Sequence, residues 1–212
     1  MVTAHRADRE TIGPDQAPAQ APGRPLDLAV LAALAGSVPD PELPMVTLAE
    51  LGVVRRVSEP EPGRVEVELT PTYTGCPAVE SMAEDIERAL WAYGQEHGGL
   101  RAVTVRTVLT PPWSTDDITD SGRRKLAEHG IAPPRRAGPG EPAPAAGPVP
   151  IGLGPTRRRT PRAASRAYAE PVRCPHCGSA DTVELSRFSA TACKALRRCT
   201  SCQEPFDHFK EL

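Results

Sequence analysis

Two pairs of cysteines near the C-terminus carry the strongest chemical signal in the sequence. Cys174 and Cys177 form one Cys-x-x-Cys unit, and Cys199 and Cys202 form a second unit after 21 intervening residues. Each unit can direct two thiolates at one ion, so the two units together offer the four sulfur ligands of a tetrahedral zinc site. A site closed by four thiolates is structural rather than catalytic. A rubredoxin-like iron site and a dithiol redox pair are the alternatives that this spacing allows.

The segment 172–212 around these cysteines predicts a small zinc ribbon. It contains few aliphatic residues, so metal binding would have to supply its folding free energy, on the order of 10 kcal/mol. His176 and His208 lie in the same segment, but four cysteines leave them no necessary role as ligands. Cys193 is the odd cysteine. It is either core filler or a second functional thiol whose pKa the neighbouring Lys194 would lower.

A sixth cysteine, Cys76, stands where an amphipathic helix is predicted to begin. It lies in the stretch LTPTYTGCPAVESM, residues 69–82, which places Cys76 at the N-cap and Pro77 at the first helical position. A thiol there would face unpaired backbone N–H groups and the positive end of the helix dipole. Both would favour thiolate, the form that attacks electrophiles and binds metals. Packing as a small residue in a tight turn is the alternative.

Residues 26–131 predict a compact α+β domain that would position this thiol. The order is α-β-β-α-β-α, with helices near 26–36, 77–97 and 115–129 and strands at 53–57, 64–70 and 102–109. Val65, Val67 and Leu69 alternate with polar residues, as in a strand with one buried face. Because a strand, a crossover helix and a further strand pair in parallel, the hairpin and the third strand predict a small mixed sheet. The stretch 40–44, Asp-Pro-Glu-Leu-Pro, predicts a rigid extended turn, and Thr115 a helix cap.

The remaining segments predict disorder around a folded, cytoplasmic protein. The composition of residues 1–25 predicts a disordered tail, and that of residues 132–171 a linker with ten prolines and seven arginines. Residues 26–131 carry 17 acidic and 9 basic side chains, whereas 132–212 carry 13 basic and 7 acidic ones. The arginines at 157–159 could contact phosphates, but no aromatic residues alternate with them, which favours a solvated linker. No secretory or membrane-spanning segment is recognised, and paired cysteines fit a reducing compartment, so no membrane role is expected.

Several motifs resemble those of a known family. DPELP (40–44), LGVV (51–54), TPTYTGCPA (70–78) and VRTVLTPPWSTDDITDSGRRKLAEHGIAPP (105–134) resemble the small iron–sulfur-assembly domain. CPHCGSADT (174–182) and FSATACKALRRCTSCQEPFDHFK (188–210) resemble the C-terminal ribbon of the PaaD family of phenylacetyl-CoA epoxidase subunits. The resemblance covers about residues 26–134 and 170–210.

The resemblance implies an accessory, non-catalytic subunit in aerobic phenylacetate catabolism. Such a subunit would assist assembly of an iron or iron–sulfur centre in its partners, the oxygenase and reductase subunits of the phenylacetyl-CoA epoxidase complex. In that family the oxygenase carries the di-iron centre, and the reductase carries flavin and a [2Fe–2S] cluster. This chain contains neither a Glu-x-x-His pair suited to a di-iron site nor a Gly-x-Gly-x-x-Gly motif for a dinucleotide.

The leading hypothesis assigns the metal chemistry to Cys76, which would hold iron or an iron–sulfur cluster transiently. Asp40 and Glu42 would add oxygen ligands or order the loop, and Thr74, Gly75 and Pro77 would support the turn. Because a cluster usually takes four thiolates, a partner or a second copy in a homodimer would complete the ligand set. One alternative is a zinc-ribbon module that scaffolds the oxygenase complex without thiol chemistry. Nucleic-acid binding through the ribbon and the arginines ranks last, because the larger domain is acidic.

Overall fold

The computed structural model describes residues 26–136 and 171–211. The predicted tail 1–25 and most of the predicted linker, including the arginines at 157–159, lie outside the described residues. Within the described ranges, no helix is both long and apolar enough to cross a bilayer.

The first described range folds as helices packed on a three-stranded sheet. Its elements are α1 (Leu28–Ser37), α2 (Leu48–Leu51), β1 (Val54–Glu61), β2 (Arg64–Leu69), α3 (Val79–His97), β3 (Ala102–Thr107), a 3₁₀ turn (Thr115–Asp117), α4 (Asp120–Glu128) and β4 (Ile131–Ala132). Strand β2 lies between β1 and β3, antiparallel to the first and parallel to the second. The predicted α+β fold with a small mixed sheet is therefore confirmed.

One face of this sheet is apolar and the other is charged. Val65, Val67 and Leu69 of β2 are fully buried, in the same core cluster as Met82, Ile86 and Leu90 of α3 and Leu31 of α1. The opposite face carries exposed ion pairs, in which Arg106 contacts Glu66 at 3.1 Å and Glu68 at 2.8 Å. The period-two pattern of β2 and the helical stripe of α3 thus pack against each other as predicted.

Two helix starts differ from the prediction. Helix α3 begins at Val79 with Ala78 as its N-cap, so Cys76 is not the N-cap and Pro77 is not the first helical residue. The predicted helix from 115 is divided into the 3₁₀ turn, capped by Ser114, and α4, capped by Thr119. The prediction of Thr115 as a cap is therefore wrong, because two competing N-cap side chains flank it within a few residues.

Helix α2 was not predicted, since four residues are too few to show a periodic pattern. A capping box holds it: Thr47 accepts a hydrogen bond from the Glu50 N–H, and the Glu50 carboxylate accepts one from the Thr47 N–H. The same carboxylate receives hydrogen bonds from Ser121 at 2.7 Å and Lys125 at 2.9 Å, both on α4. Glu50 therefore ties α2 to α4.

The second described range forms a cysteine-rich ribbon that shares a sheet with the first. Strands β5 (Thr182–Ser186), β6 (Lys194–Cys199) and β7 (Pro205–Phe209) are antiparallel neighbours. Strand β4 adds to β7 in parallel, which gives the order β4-β7-β6-β5. Strand β4 spans the predicted boundary between the α+β domain and the linker, at 131/132. Because β4 pairs with β7, backbone hydrogen bonds join the first described range to the ribbon.

The ribbon also contributes side chains to the main core. Phe209 and Cys193 belong to the same buried cluster as the α/β core. The ring of Phe209 lies 6.1 Å from that of Trp113, whose indole N–H donates a hydrogen bond to the Leu51 carbonyl at 2.8 Å. The ribbon is thus packed against the first part of the chain, a contact that the sequence patterns did not predict.

Candidate functional site

The four cysteines predicted as ligands converge at one point. The sulfur atoms of Cys174, Cys177, Cys199 and Cys202 all lie within 4.8 Å of one another. The Sγ atoms are 3.8 Å apart for Cys174 and Cys202, and 3.6 Å apart for Cys177 and Cys199. A tetrahedral zinc ion with Zn–S bonds of about 2.3 Å requires sulfurs about 3.8 Å apart. The donor set and its spacing therefore fit a zinc ion.

Two tight turns hold these sulfurs in place. In the first, the Gly178 N–H donates to the Cys174 carbonyl at 2.9 Å, and Gly178 has the positive φ of 74° that favours glycine. In the second, the Cys202 N–H donates to the Cys199 sulfur at 3.4 Å. A backbone N–H that donates to sulfur stabilises the thiolate form, which is the form that binds zinc.

The electrostatics of the cluster call for a cation. The backbone N–H of Cys202 is the largest influence lowering the pKa of Cys199, to about 6. The backbone N–H of Glu204 lowers the pKa of Cys202. Burial and the neighbouring thiols raise it by more, so that the pKa is about 12. Loss of a proton from one thiol therefore makes loss of the next proton harder, because thiolates at this spacing repel one another. A dication would release the remaining protons and hold the set together.

The buried apolar cluster that belongs to the ribbon itself is small. It comprises Ala132, Cys174, Cys199 and Phe206, two of which are ligands. Such a core alone cannot offset the conformational entropy of about 40 residues, so bound metal would add to the stability that the ribbon gains from β4 and from Phe209 and Cys193 in the main core. Among the described residues, neither His176 nor His208 belongs to the ligand cluster, as the sequence suggested.

The loop that carries Cys76 consists of two successive turns before α3. The Cys76 N–H donates to the Tyr73 carbonyl at 3.1 Å, and the Val79 N–H reaches the Cys76 carbonyl at 3.5 Å. Cys76 is half-buried, whereas Thr74, Gly75 and Pro77 are exposed. Gly75 has a φ of 93° with open space around it, so its role is the turn itself.

The electrostatics around Cys76 contradict the predicted thiolate. Burial is the largest influence and raises the pKa of Cys76, and the carboxylates of Glu42 and Asp40 raise it further. Hydrogen bonds from the Ala78 N–H and the Thr72 hydroxyl lower the pKa by less. The prediction failed because Cys76 is half-buried, because α3 starts beyond it, and because the carboxylates of Glu42 and Asp40 also raise its pKa. The resting side chain is a thiol at neutral pH.

Asp40 is buried and orders the neighbouring loop. Its Oδ1 accepts hydrogen bonds from the N–H groups of Glu42 at 2.8 Å and Leu43 at 2.7 Å. Only 4% of the residue is exposed, and this burial raises the pKa of its carboxyl group. Glu42 is half-buried, and its carboxylate raises the pKa of both Cys76 and Cys193.

The structure also brings Cys193 of the ribbon into the surroundings of this loop. Cys193 is 5% exposed, and its sulfur lies 3.0 Å from the Thr191 hydroxyl. Burial raises its pKa, as do the same two carboxylates, Glu42 and Asp40. Lys194 lowers the pKa least of the influences named, and its ammonium group pairs instead with Asp207 at 3.0 Å. The predicted lowering by Lys194 is thus outweighed.

The same pair of carboxylates, Glu42 and Asp40, therefore raises the pKa of both thiols. Both thiols also affect the Tyr73 hydroxyl. Burial raises the pKa of Tyr73 most, and Cys76, Glu42 and Cys193 raise it further. Sequence reasoning treated the two cysteines as separate, since 116 residues and a long linker divide them. Within the described ranges, however, only the four-cysteine cluster gathers three or more ligand atoms within 4.8 Å. Among the described residues, the region around Cys76 therefore does not form a closed ligand cage.

Comparison with known proteins matches each part of this architecture to a class. Residues 28–97 match the family model described as "Iron-sulfur cluster assembly protein", and residues 158–210 match the "PaaD zinc beta ribbon domain". The molecule is therefore an iron–sulfur-assembly-type domain joined to a zinc ribbon.

The relatives identify the family. The chain is 40% identical over 179 residues to a protein of Escherichia coli (strain K12) described as a "Putative 1,2-phenylacetyl-CoA epoxidase" subunit, covering 84% of this chain and 89% of that protein. The chain belongs to this PaaD family of phenylacetyl-CoA epoxidase subunits. It is also 28% identical over 90 residues to an "Fe-S protein maturation auxiliary factor" of Porphyromonas gingivalis (strain ATCC BAA-308 / W83), covering 42% of this chain and 81% of that one.

A solved structure resembles the first part of the chain. It is a DUF59 domain of unknown function from Bacillus anthracis, at 27% identity and a TM-score of 0.42, covering 47% of this chain and 90% of that one.

Proposed function

We propose that this chain is a maturation subunit that carries iron or an iron–sulfur cluster to the oxygenase or reductase subunits of a 1,2-phenylacetyl-CoA epoxidase. In this proposal the chain catalyses no step of epoxidation, and it works in the cytoplasm as part of aerobic phenylacetate catabolism. The four-cysteine cluster holds a structural zinc ion, and the transported metal binds at Cys76. The membership of the family and the relative named as a maturation factor support this role.

The observation that carries the proposal is the shared electrostatic environment of Cys76 and Cys193. Two thiols from different parts of the chain lie under the influence of the same carboxylates, Asp40 and Glu42. Without metal, burial and, to a smaller extent, these negative charges raise the pKa of both thiols and keep them protonated, which lowers their reactivity toward oxidants. A bound cation reverses the balance, because it neutralises the carboxylates and displaces the thiol protons.

The incomplete ligand set suits transfer rather than storage. Thiolates prefer soft or borderline metals such as iron in clusters, and a carboxylate adds a harder donor. With fewer than four strong ligands from this chain, the acceptor or a second copy would supply the remainder. Cys76 is half-buried and so remains accessible to an acceptor, whereas Cys193 is buried.

The decisive experiment compares wild type with Cys76→Ser after anaerobic purification. Wild type should contain one zinc ion per chain plus additional iron, whereas Cys76→Ser should retain the zinc and lose the iron. Epoxidase assembled with Cys76→Ser should have low iron content and low activity. Cys193→Ser should weaken iron retention in the same direction, and Cys177→Ser should lose zinc instead.

Full iron loading and full epoxidase activity with Cys76→Ser would disprove this role. A second candidate function would then stand, in which the ribbon scaffolds the complex without thiol chemistry. The packing of Phe209 against Trp113 favours it, because it fixes the ribbon rigidly on the first domain. Under that alternative, removal of zinc abolishes complex formation while Cys76→Ser changes nothing.

A further inference from the structure

The ribbon carries a cleft whose lining includes none of the thiols discussed above. The cleft has a volume of about 810 Å³ and lies beside strands β5, β6 and β7. Its lining includes four basic side chains and two acidic ones, namely Arg135, Arg187, Arg197, Lys210, Glu184 and Glu211. This volume falls in the range of about 300–1,000 Å³ that is usual for small-molecule sites.

Two basic side chains of the cleft, Arg187 and Lys210, have no carboxylate partner among the described residues. Arg135 pairs with Glu211 at 3.5 Å, whereas Arg197 pairs with Glu184 at 3.6 Å and donates a hydrogen bond to the Thr182 hydroxyl at 3.3 Å. In the part of the chain that the structure describes, the exposed guanidinium group of Arg187 makes no ion pair or hydrogen bond. Lys210 donates to the Arg187 carbonyl at 3.1 Å, which leaves its charge without a carboxylate partner among these residues.

A buried histidine supplies an independent sign of a missing ligand. His208 lines the cleft and is 5% exposed, and its Nε2 has no hydrogen-bond partner among the described residues. A buried polar atom left unpaired costs stability, so such atoms are rare and call for an explanation. An oxygen-rich ligand in the cleft would give this nitrogen its partner.

We propose that this cleft binds a small organic phosphate of nucleotide size. Arginine guanidinium groups match phosphate oxygens with paired N–H donors, and the surplus of positive charge suits a ligand that carries more than one negative charge. The phosphate groups bind between Arg187 and Lys210, and His208 contacts the ligand from the floor of the cleft. The carboxylates of Glu184 and Glu211 hold the arginine side chains apart in the absence of ligand.

Isothermal titration of the full, zinc-loaded chain tests this site with ADP and with pyrophosphate as probes. Wild type should bind ADP at one site per chain, and pyrophosphate more weakly because it fills less of the cleft. Arg187→Gln should weaken binding by about tenfold or more, as expected for loss of a charged hydrogen-bond donor. The matched control is Arg198→Gln, which removes the same charge from an exposed position on β6 outside the cleft.

A second variant separates ligand binding from folding. His208→Phe removes the unpaired nitrogen, so the ligand-free variant should unfold at the same temperature as wild type or higher, yet bind ADP more weakly. Equal weakening of ADP binding in Arg187→Gln and Arg198→Gln would contradict the site and indicate attraction to diffuse surface charge.

Saturable binding of single-stranded RNA without binding of ADP would indicate a nucleic-acid surface instead. The proposal would also be wrong if neither ADP nor pyrophosphate bound at millimolar concentration.

Discussion

The residues around Cys76 are arranged to respond to a cation rather than to keep a reactive thiolate. A thiol at a helix start often has a low pKa, but here the helix begins at Val79, and burial raises the pKa of Cys76, with a smaller contribution from the carboxylates of Glu42 and Asp40. Asp40 is fixed by two backbone N–H groups, so Glu42 is the more adjustable of the two charges. The charge of a cation would therefore determine the protonation state of Cys76.

Replacement of Glu42 by Gln tests this arrangement directly. Because the Glu42 carboxylate raises the pKa of Cys76, its removal should lower that pKa and increase the thiolate fraction at neutral pH. In zinc-loaded, iron-free protein, the alkylation of Cys76 by iodoacetamide should shift to lower pH, as followed by mass spectrometry of the Cys76 peptide. Glu96→Gln, an exposed position near the far end of α3, should leave the profile unchanged. An identical shift in both variants, or none in Glu42→Gln, would contradict the assignment.

At the scale of elements, the contact between α2 and α4 depends on one carboxylate. Glu50 receives hydrogen bonds from the Thr47 N–H, Ser121 and Lys125. Burial raises its pKa, but these partners lower it more, from its ordinary 4.5 to about 2. A group with a depressed pKa in the folded state stabilises the protein above its ordinary pKa, and that contribution is lost as the pH falls toward the folded value.

Glu50→Gln should therefore lower the free energy of unfolding by about 1–2 kcal/mol at pH 7, less than the full pKa shift implies because water reaches part of the carboxylate. The difference between variant and wild type should shrink as the pH falls from 5 toward 2. Urea unfolding of both proteins across this range measures it. Glu128→Gln, an exposed acid on the same α4, should show no such pH-dependent difference. A constant difference at all pH values would mean that shape rather than charge explains the effect.

Features that lie within a single element are the ones that local sequence patterns can predict. The alternation of Val65, Val67 and Leu69, the apolar stripe of α3 and the two Cys-x-x-Cys units each lie within a short stretch, and each was predicted correctly. The start of α3 was misplaced by two residues, because turns at 73–78 compete with the first helical turn. Helix α2 has only four residues and depends on Glu50 meeting α4 some 70 residues later. The position of Cys193 beside the loop of Cys76 depends on tertiary packing, which no local pattern encodes.

In the molecule as a whole, the ribbon that carries the four-cysteine cluster is packed against the main core. Strand β4 joins the ribbon sheet by backbone hydrogen bonds, and Phe209 of the ribbon packs on Trp113, which is 6% exposed. Phe209 sits at the end of β7, the central strand that neighbours both β4 and β6. Loss of the metal should therefore disturb residues far from the cysteines, including the surroundings of Cys193.

Tryptophan fluorescence in a Trp91→Phe background tests this coupling, since Trp91 and Trp113 are the two tryptophans of the chain. Removal of zinc by a chelator should unfold the ribbon, withdraw Phe209 and expose Trp113 to water, so its emission should shift to longer wavelength. Return of zinc should reverse the shift. If circular dichroism reports an unfolded ribbon while Trp113 emission stays unchanged, the two parts are energetically independent. If the shift occurs, zinc occupancy controls the packing that places Cys193 beside Asp40 and Glu42, and the structural metal then sets the affinity of the thiol site for its cargo.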